Sequence, residues 1–566
     1  MYSFIGVTMW TWSVDRAYLR CMSDRINDEY GIDWLEVRLP STVQEALFVH
    51  GIIEDPYVES NWRRIQWVSR YGWVYRIPIE RRRKCSRVVF HGVDYRYRVR
   101  SGDRLLATHE GMFSQCYVDV SGLPEKTEIL VEVLPNPSSE REFVIPEMWG
   151  RKKNMRIPMS YGWDFAPRII TIGIWDIVEI QEDTGGFIDD LHVRAFDNGE
   201  LHMSFRTSPE YQTLDVKTLL LDGDTPILSD IRRSVKRRNK GFSLRYSIPD
   251  IELWWPWDLG HPKLYDLEIR LMHEGEEISS IVQKIGFRRI IFRNGALIIN
   301  GTKIYMRGVN WPPIDSLLRF DRERYERLIK SVLDLNCNII RVWGGGLRER
   351  REFYRLTDRN GILVWQEFPF ACEDVILDDR MRLLIDRECT SIVKCIRNHP
   401  SLSLLCGGNE LNYRRSYILI KILGGIVRQY APDIPFHPIS PYKYDSHSWY
   451  VWYGFAPLGA YLGEQAPIIS EFGMQSIPGR ESLTQFIPKN KLWPPNNVWI
   501  EHKAQIDILY YYTITSLLEK ISIVLLNAIE SVLLLLKMDK KRKIRNIIYR
   551  KTMRKLARID MDEFIW

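Results

Sequence analysis

Hydrophobic and polar positions alternate in three different ways along the chain. From about Arg76 to Ile180, short runs rich in Val, Tyr, Phe and Ile are separated by Gly, Asp, Asn and Pro; they are Ser86–Phe90, Tyr95–Val99, Gln115–Val120 and Ile129–Leu134. β-Branched and aromatic residues suit a pleated, half-buried surface, and the separators supply turns. The pattern predicts a β-sandwich. A second β-rich stretch runs from about His192 to Phe292, with alternating segments Leu201–Phe205 and Leu264–Arg270 and an Asp222-Gly223-Asp224 turn. Its length of roughly 100 residues suits an immunoglobulin-like sandwich.

After Asn300-Gly301 the period changes. Apolar runs at Ile304–Val309, Asn338–Trp343, Ile362–Phe368 and Leu402–Cys406 alternate with helical stretches at Asp321–Leu335, Glu352–Asn360 and a long segment ending near Arg397. Such alternation predicts parallel strands joined by crossover helices, and its repetition favours a (β/α)8 TIM-type barrel. The active residues of such a barrel lie at the C-terminal ends of its strands. The predicted division is residues 1–180, 181–290, 291–502 and a divergent 503–566.

The net charge of +7 belongs to that last segment. Lys537–Trp566 holds 11 basic and 4 acidic residues, so the rest of the chain is balanced and gives no reason to expect a nucleic-acid partner. Ile514–Leu536 is rich in Leu and Ile. Its most apolar part, Ile521–Leu536, contains Asn527 and Glu530 and falls short of the ~20 residues a membrane span needs. The eight cysteines form no C-x-x-C pair and read as reduced thiols. Met1–Trp12 lacks the charge and apolar core of a secretory leader. Together these features lead to the expectation of a cytoplasmic protein.

Chemistry gathers at the predicted strand ends. Asn409-Glu410 follows Leu402–Cys406 through Gly407-Gly408, and Glu471 closes the run Ile468-Ile469-Ser470. Two carboxylates at separate strand ends can serve a retaining glycosidase, one as acid with a raised pKa and the other as nucleophile, about 5–5.5 Å apart. Each alone also fits a structural carboxylate that caps a helix or pairs with Arg. The chain has 20 Trp, and Trp311, Trp343, Trp365, Trp449 and Trp452 fall near strand ends, where indole faces can stack on sugar C–H faces. His447, in the run Asp445-x-His447-x-Trp449-x-x-Trp452, lacks the further ligands a metal needs and is expected to donate to a sugar hydroxyl.

These residues together resemble glycoside hydrolase family two, and within it the β-mannosidases, over roughly residues 30 to 480. Gly51–Tyr57, Gln66-Trp67-Val68, Trp73-Val74-Tyr75 and Phe90–Asp94 are similar to the family's jelly-roll sugar-binding domain, and Tyr161–Arg168 resembles its G-W-D-W-G-P loop. The resemblance implies that Trp163 and Asp164 help hold the terminal sugar. Trp254-Trp255-Pro256 and Lys284–Arg288 are family-like ends of the second sandwich. Gly308–Pro313, Arg341–Gly346, Gly361–Phe368, Arg397–Ser401 and Ser470–Ser476 resemble the barrel motifs. By that resemblance Glu410 is the general acid/base and Glu471 the nucleophile. Asn409 holds the 2-hydroxyl, Arg341 keeps the nucleophile ionised, and Trp343 packs on the sugar.

The implied protein is an exo-acting enzyme that removes terminal β-D-mannosyl residues from oligosaccharides by double displacement, with no metal or organic cofactor. Exo-β-glucosaminidase or β-galactosidase specificity, and a non-catalytic carbohydrate-binding remnant, stand as alternatives. The chain departs from the family at Leu347-Arg348, expected to alter charge near the barrel mouth, at Glu367 for Asp, at Gly408 in the N-N-E triplet, and at Phe165-Ala166. After about residue 500 no final barrel strand is recognisable, so the barrel is expected to stop short of closing. A truncated reading frame, a second chain that completes the barrel, or a substituting tail would each account for this.

Overall fold

The computed structural model describes residues 7–8, 11–83, 85–136, 151–238, 241–452, 458–473 and 478–504. The expected apolar helix and basic tail fall almost wholly at 505–566, outside the described residues.

The first sandwich packs two antiparallel sheets. One has six strands in the order Leu35–Arg38, Arg16–Cys21, Trp73–Glu80, Lys126–Val133, Arg96–Ser101 and Arg104–Glu110. The other has four: Cys116–Asp119, Cys85–Phe90, Val178–Asp183 and Thr11–Ser13. Period-two alternation sends Trp73, Tyr75, Ile77 and Ile79 into the core between the sheets. Arg16–Cys21 and Leu35–Arg38 precede the stretch read as β from sequence. They hide because their outward positions carry Arg, Tyr and Glu, while Ala17, Leu19, Cys21 and Val37 point inward.

The second sandwich sets a three-stranded sheet (Asp189–Ala195, Glu200–Arg206, Phe242–Ser247) against a five-stranded one. The five-stranded sheet runs Val7–Thr8, Glu276–Ile285, Tyr265–His273, Thr213–Asp222, Thr225–Lys236. Val7 pairs with Val282, so the start of the chain completes the second sandwich before the first begins.

After a small antiparallel sheet of Ile290–Arg293, Ala296–Ile299 and Thr302–Ile304, seven strands run parallel. They are β1 (Gly308–Trp311), β2 (Ile339–Val342), β3 (Leu363–Glu367), β4 (Leu402–Cys406) and β5 (Phe436–His437) in one sheet, with β6 (Asp445–Ser448) and β7 (Ile468–Phe472) as a parallel pair. Helices α1 (Arg322–Asp334), α2 (Arg351–Asn360), α3 (Asp379–Ile396) and α4 (Tyr417–Tyr430) connect the first five. Asp321 and Asp378 cap α1 and α3 by accepting from Arg324 N and Met381 N at 2.6 and 2.7 Å. Every residue of β2, β3 and β4 is buried, as parallel strands covered on both faces require. Beyond the sheet, parallel bridges link Ala371 to Asn409 and Asn409 to Ser440, and Asn310 Nδ2 donates to Ser470 O at 3.0 Å. The C-terminal ends of β1, β3, β4, β5 and β7 therefore converge.

Buried polar bolts fix the sandwiches to this sheet. Glu388 of α3 accepts from Phe113 N at 2.6 Å, Ser114 N at 3.2 Å and the Ser114 hydroxyl. Arg397 pairs with Asp190 of the second sandwich at 2.8 Å. Arg348 pairs with Asp176 of the first at 2.9 Å. That last contact corrects an expectation from sequence: Leu347 and Arg348 are buried at a domain junction, and the Arg348 charge is neutralised by Asp176 instead of altering the mouth.

Candidate active site

The turn after β4 delivers Glu410. A Cβ on Gly407 would lie 2.1 Å from Pro438 O, and one on Gly408 (φ 146°) 2.7 Å from Phe370 O, so both positions require glycine. Glu410 itself adopts a left-handed backbone with φ 48°, held by its N–H to Ser440 O at 2.6 Å. A non-glycine residue in this conformation carries local strain that its surroundings must hold. Glu471 arrives from β7. One oxygen of each carboxylate and a ring nitrogen of His447 lie within 4.8 Å of one another.

The two glutamates have different partners. Arg341 Nη1 meets Glu471 Oε1 at 2.5 Å and Asn310 Oδ1 at 2.8 Å; its Nη2 meets Asn409 Oδ1 at 2.8 Å, and its Nε meets Glu367 Oε1 at 2.9 Å. Glu367 also accepts from Gly344 N at 2.7 Å. One buried guanidinium thus fixes two carboxylates and two amides, a use of its planar fork that a lysine could not reproduce. Glu410 Oε1 accepts from Trp449 Nε1 at 3.0 Å and faces His447 Nδ1 at 2.8 Å, and its Oε2 accepts from Cys372 Sγ at 3.2 Å. Burial alone pushes this carboxyl up, but the His447 hydrogen bond and charge, then Trp449 and Cys372, outweigh it and hold it at about 2. A solitary acid is expected to be raised, so the surroundings of Glu410 differ from that expectation because three donors converge on it.

Glu410, His447 and Glu471 form the one group among the described residues with convergent metal-ligand atoms. The two carboxylates already meet the guanidinium, the indole and the thiol, which suits proton transfer better than a cation.

The aromatic residues divide into rim and core. Trp163 lies edge-on to the buried Trp343 at 4.9 Å between centroids, with Phe165 also against Trp343 at 5.5 Å. Asp164 is exposed beside them, and partial desolvation, followed by the Glu471 and Glu410 charges, pushes its carboxyl above the usual range. The Tyr161–Arg168 loop of the first sandwich therefore packs on Trp343, just past the end of β2. Trp452 packs edge-on to Trp449 at 5.7 Å. Trp311 and Trp365 are core residues: Trp311 donates to the buried Glu349 at 3.0 Å, and Trp365 lies inside β3 against His437. The His447 ring has no free nitrogen for a sugar hydroxyl, since Nε2 lies 3.1 Å from Ser440 Oγ and Nδ1 faces the glutamates.

Sequence reasoning assigned no role to Asn310, Cys372, Ser440 or Ser470, and noted Glu367 only as a departure. Cys372 sits five residues past the end of β3, and its neighbours Ala371 and Phe370 bridge to Asn409. A polar or thiol residue shortly after each apolar strand run was the available signal.

Residues 21–176 match the glycosyl hydrolase 2 galactose-binding domain-like family, and residues 186–288 match glycosyl hydrolases family 2. Two curated proteins described as beta-mannosidase B are similar along most of the chain. The one from Thermothelomyces thermophilus is 26% identical, covering 80% of this chain and 60% of the relative. The one from Aspergillus terreus is 27% identical, covering 81% and 62%. The crystal structure of a beta-D-mannosidase from Dictyoglomus thermophilum superposes with a TM-score of 0.80 at 26% identity, over 92% of this chain and 71% of that one.

Both sandwiches match domains of glycosyl hydrolase family 2.

Along most of its length the chain is β-mannosidase-like in sequence and fold. It spans about 60% of the length of the curated β-mannosidase relatives. An exo-chitosanase from Amycolatopsis orientalis, at 16% identity and a TM-score of 0.65 over 85% of this chain and 60% of that one, shares the fold alone. The family-2 match covers the two sandwiches, and the glutamates lie beyond it, on the parallel strands. No helix among the described residues is long and apolar enough to cross a membrane.

Proposed function

We propose that this chain is a retaining exo-β-glycosidase that hydrolyses terminal β-D-mannosyl residues from oligosaccharides. The observation that carries the reading is the approach of Glu410 and Glu471 from two strand ends to within 4.8 Å. An oxygen pair that close supports the about 5–5.5 Å carboxyl separation of a retaining pair over the about 6.5–9.5 Å of an inverting one. Glu410 protonates the glycosidic oxygen while Glu471 attacks the anomeric carbon. Water then attacks the glycosyl-enzyme, and Glu410 takes its proton. Asn409, beside both glutamates, receives the 2-hydroxyl. Trp163, Asp164 and Trp343 line the non-reducing end, and Trp449 and Trp452 the opposite wall.

The seven parallel strands are read as arcs of a (β/α)8 barrel, following a jelly-roll domain to about residue 180 and an immunoglobulin-like domain to about 290. The convergence of β1 and β7 through Asn310 and Ser470 supports this reading.

Purified full chain is assayed with aryl β-mannoside, β-galactoside and β-glucosaminide, alongside Glu410→Ala and Glu471→Ala. Turnover is expected on the mannoside, with retention of configuration, and its loss in Glu471→Ala. Preference for another glycoside would replace the mannosyl assignment. Binding without turnover on any of the three would replace the enzyme by a carbohydrate-binding protein.

A further inference from the structure

Asp445 accepts two short hydrogen bonds, from Ser440 Oγ at 2.6 Å and from Ser470 Oγ at 2.5 Å. Burial pushes the Asp445 carboxyl up, but His437 beside it at 3.6 Å and the hydrogen bonds from Ser440 and Ser470 outweigh it and hold it below the usual range. An ionised carboxylate only accepts, and a serine hydroxyl has one proton to give. The two hydroxyls also lie 2.9 Å from each other, but each is closer to the carboxylate, which places both serine protons on Asp445. Ser440 Oγ also lies 3.1 Å from His447 Nε2. With its proton already placed, Ser440 can only accept there, so Nε2 carries a hydrogen.

This fixes what the other ring nitrogen can do. His447 Nδ1 lies 2.8 Å from Glu410 Oε1 and 3.3 Å from Glu471 Oε2, and the His447 side chain is 3% exposed. A bare nitrogen lone pair and a bare carboxylate do not meet at 2.8 Å, because neither can donate.

Resting on the glycosidase reading, we propose that Glu410 and His447 together hold one proton, and that Asp445, through Ser440, locks the imidazole tautomer that keeps it there. His447 is then a positioning residue for the acid, not a sugar ligand. The charged and titratable groups around it come from every neighbouring strand: Glu410 after β4, Glu471 on β7 with Arg341 of β2 behind it, Asp445 on its own strand β6, His437 on β5 and Cys372 after β3.

The pair accounts for an acid whose carboxyl is held at about 2. Held by three donors, the Glu410 carboxylate favours its ionised form, whereas the carboxylate and the imidazole together retain one transferable proton. In the first step that proton passes to the glycosidic oxygen as the C–O bond breaks. The alcohol leaves, and a Glu471 oxygen bonds the anomeric carbon. In the second step a water oxygen bonds that carbon, the Glu471–carbon bond breaks, and the water's proton returns to the pair. The proton count is restored after each turnover.

Two measurements on the full chain test this. In the first, wild type, His447→Gln and Asp445→Asn are compared on a β-mannoside with a 2,4-dinitrophenolate leaving group, which departs unprotonated, and on an alkyl β-mannoside, which needs the acid. A general acid contributes about 10²–10⁴-fold. The expected result is a loss of kcat/KM of about 100-fold or more on the alkyl substrate, little change on the dinitrophenyl one, and an alkaline limb displaced to lower pH. Equal losses on both substrates would overturn the proposal. The second measurement needs no activity: ¹⁵N-histidine NMR with His447→Gln as the assignment control. A proton on Nε2 and a downfield proton at Nδ1 that vanishes in Glu410→Gln are expected, and an unprotonated Nδ1 with an ionised Glu410 would overturn the proposal. Absence of turnover by wild type on every glycoside would remove the glycosidase reading, while the NMR result would still decide where the proton lies.

Discussion

Arg341 and Glu471 meet at 2.5 Å with both side chains buried, and the same guanidinium holds Asn409 and Glu367. Replacing it with Met leaves two buried carboxylates without their cation. Breaking a buried pair from one side costs about 3–5 kcal/mol. Arg341→Met is expected to lower stability by that order and to abolish turnover, read by denaturant unfolding and by aryl β-mannoside assay. Arg341→Lys retains charge but loses the fork, and is expected to recover stability better than activity.

Trp163 and Trp343 make different demands, although their rings touch. Trp343 is 5% exposed and packs among Met159, Ala166 and Ala371. Trp343→Ala is expected to cost about 3–5 kcal/mol through the cavity it leaves. Trp163 sits at the rim of that cluster, so Trp163→Ala is expected to leave the unfolding midpoint close to wild type. Its effect falls on sugar binding: KM rises about tenfold, the order of one lost aromatic contact. A wild-type KM in Trp163→Ala would remove this residue from the sugar site.

Glu349 gives a pH prediction away from the chemistry. It is fully buried, accepts from Trp311 Nε1 at 3.0 Å and from the Tyr325 hydroxyl, and burial pushes its carboxyl up to about 7 despite those bonds. The folded state therefore binds this proton more tightly than the unfolded state, whose Glu titrates near about 4.3. Its contribution to stability is full below the unfolded value and is lost as pH rises to about 7. The slope is at most about 1.4 kcal/mol per pH unit. In urea unfolding from acid to neutral pH, wild type is expected to lose stability relative to Glu349→Gln, whose amide can accept from Trp311 and donate to Tyr325. Parallel profiles would contradict this.

The parts of the site legible in the sequence are those written locally. Asn409-Glu410 and Glu471 stand at the ends of apolar runs, where a carboxylate has no packing reason to be, and Arg341 interrupts a buried strand whose other members are apolar. The parallel strands were legible for the same reason, as short apolar runs separated by helical periods. What sequence could not supply is pairing across the sheet. Asn310 meets Ser470, Cys372 meets Glu410, and Ser440 meets His447 only once the strand ends converge. His447 reads as a sugar donor from sequence because the run around it says nothing of Ser440 or Asp445's hydrogen bonds. Position alone puts Trp365 near a strand end, but the strand continues past it to Glu367 and buries it.

The account rests on Glu471 as the residue that bonds the sugar. A 2-fluoro-2-deoxy-β-mannosyl fluoride slows the second step more than the first, so the glycosyl-enzyme accumulates and can be located by peptide mass spectrometry. The account predicts one added sugar on the peptide containing Glu471, none in Glu471→Ala, and slow release by water. An adduct on Glu410 or elsewhere, or turnover by wild type with inverted configuration and no adduct, would contradict it.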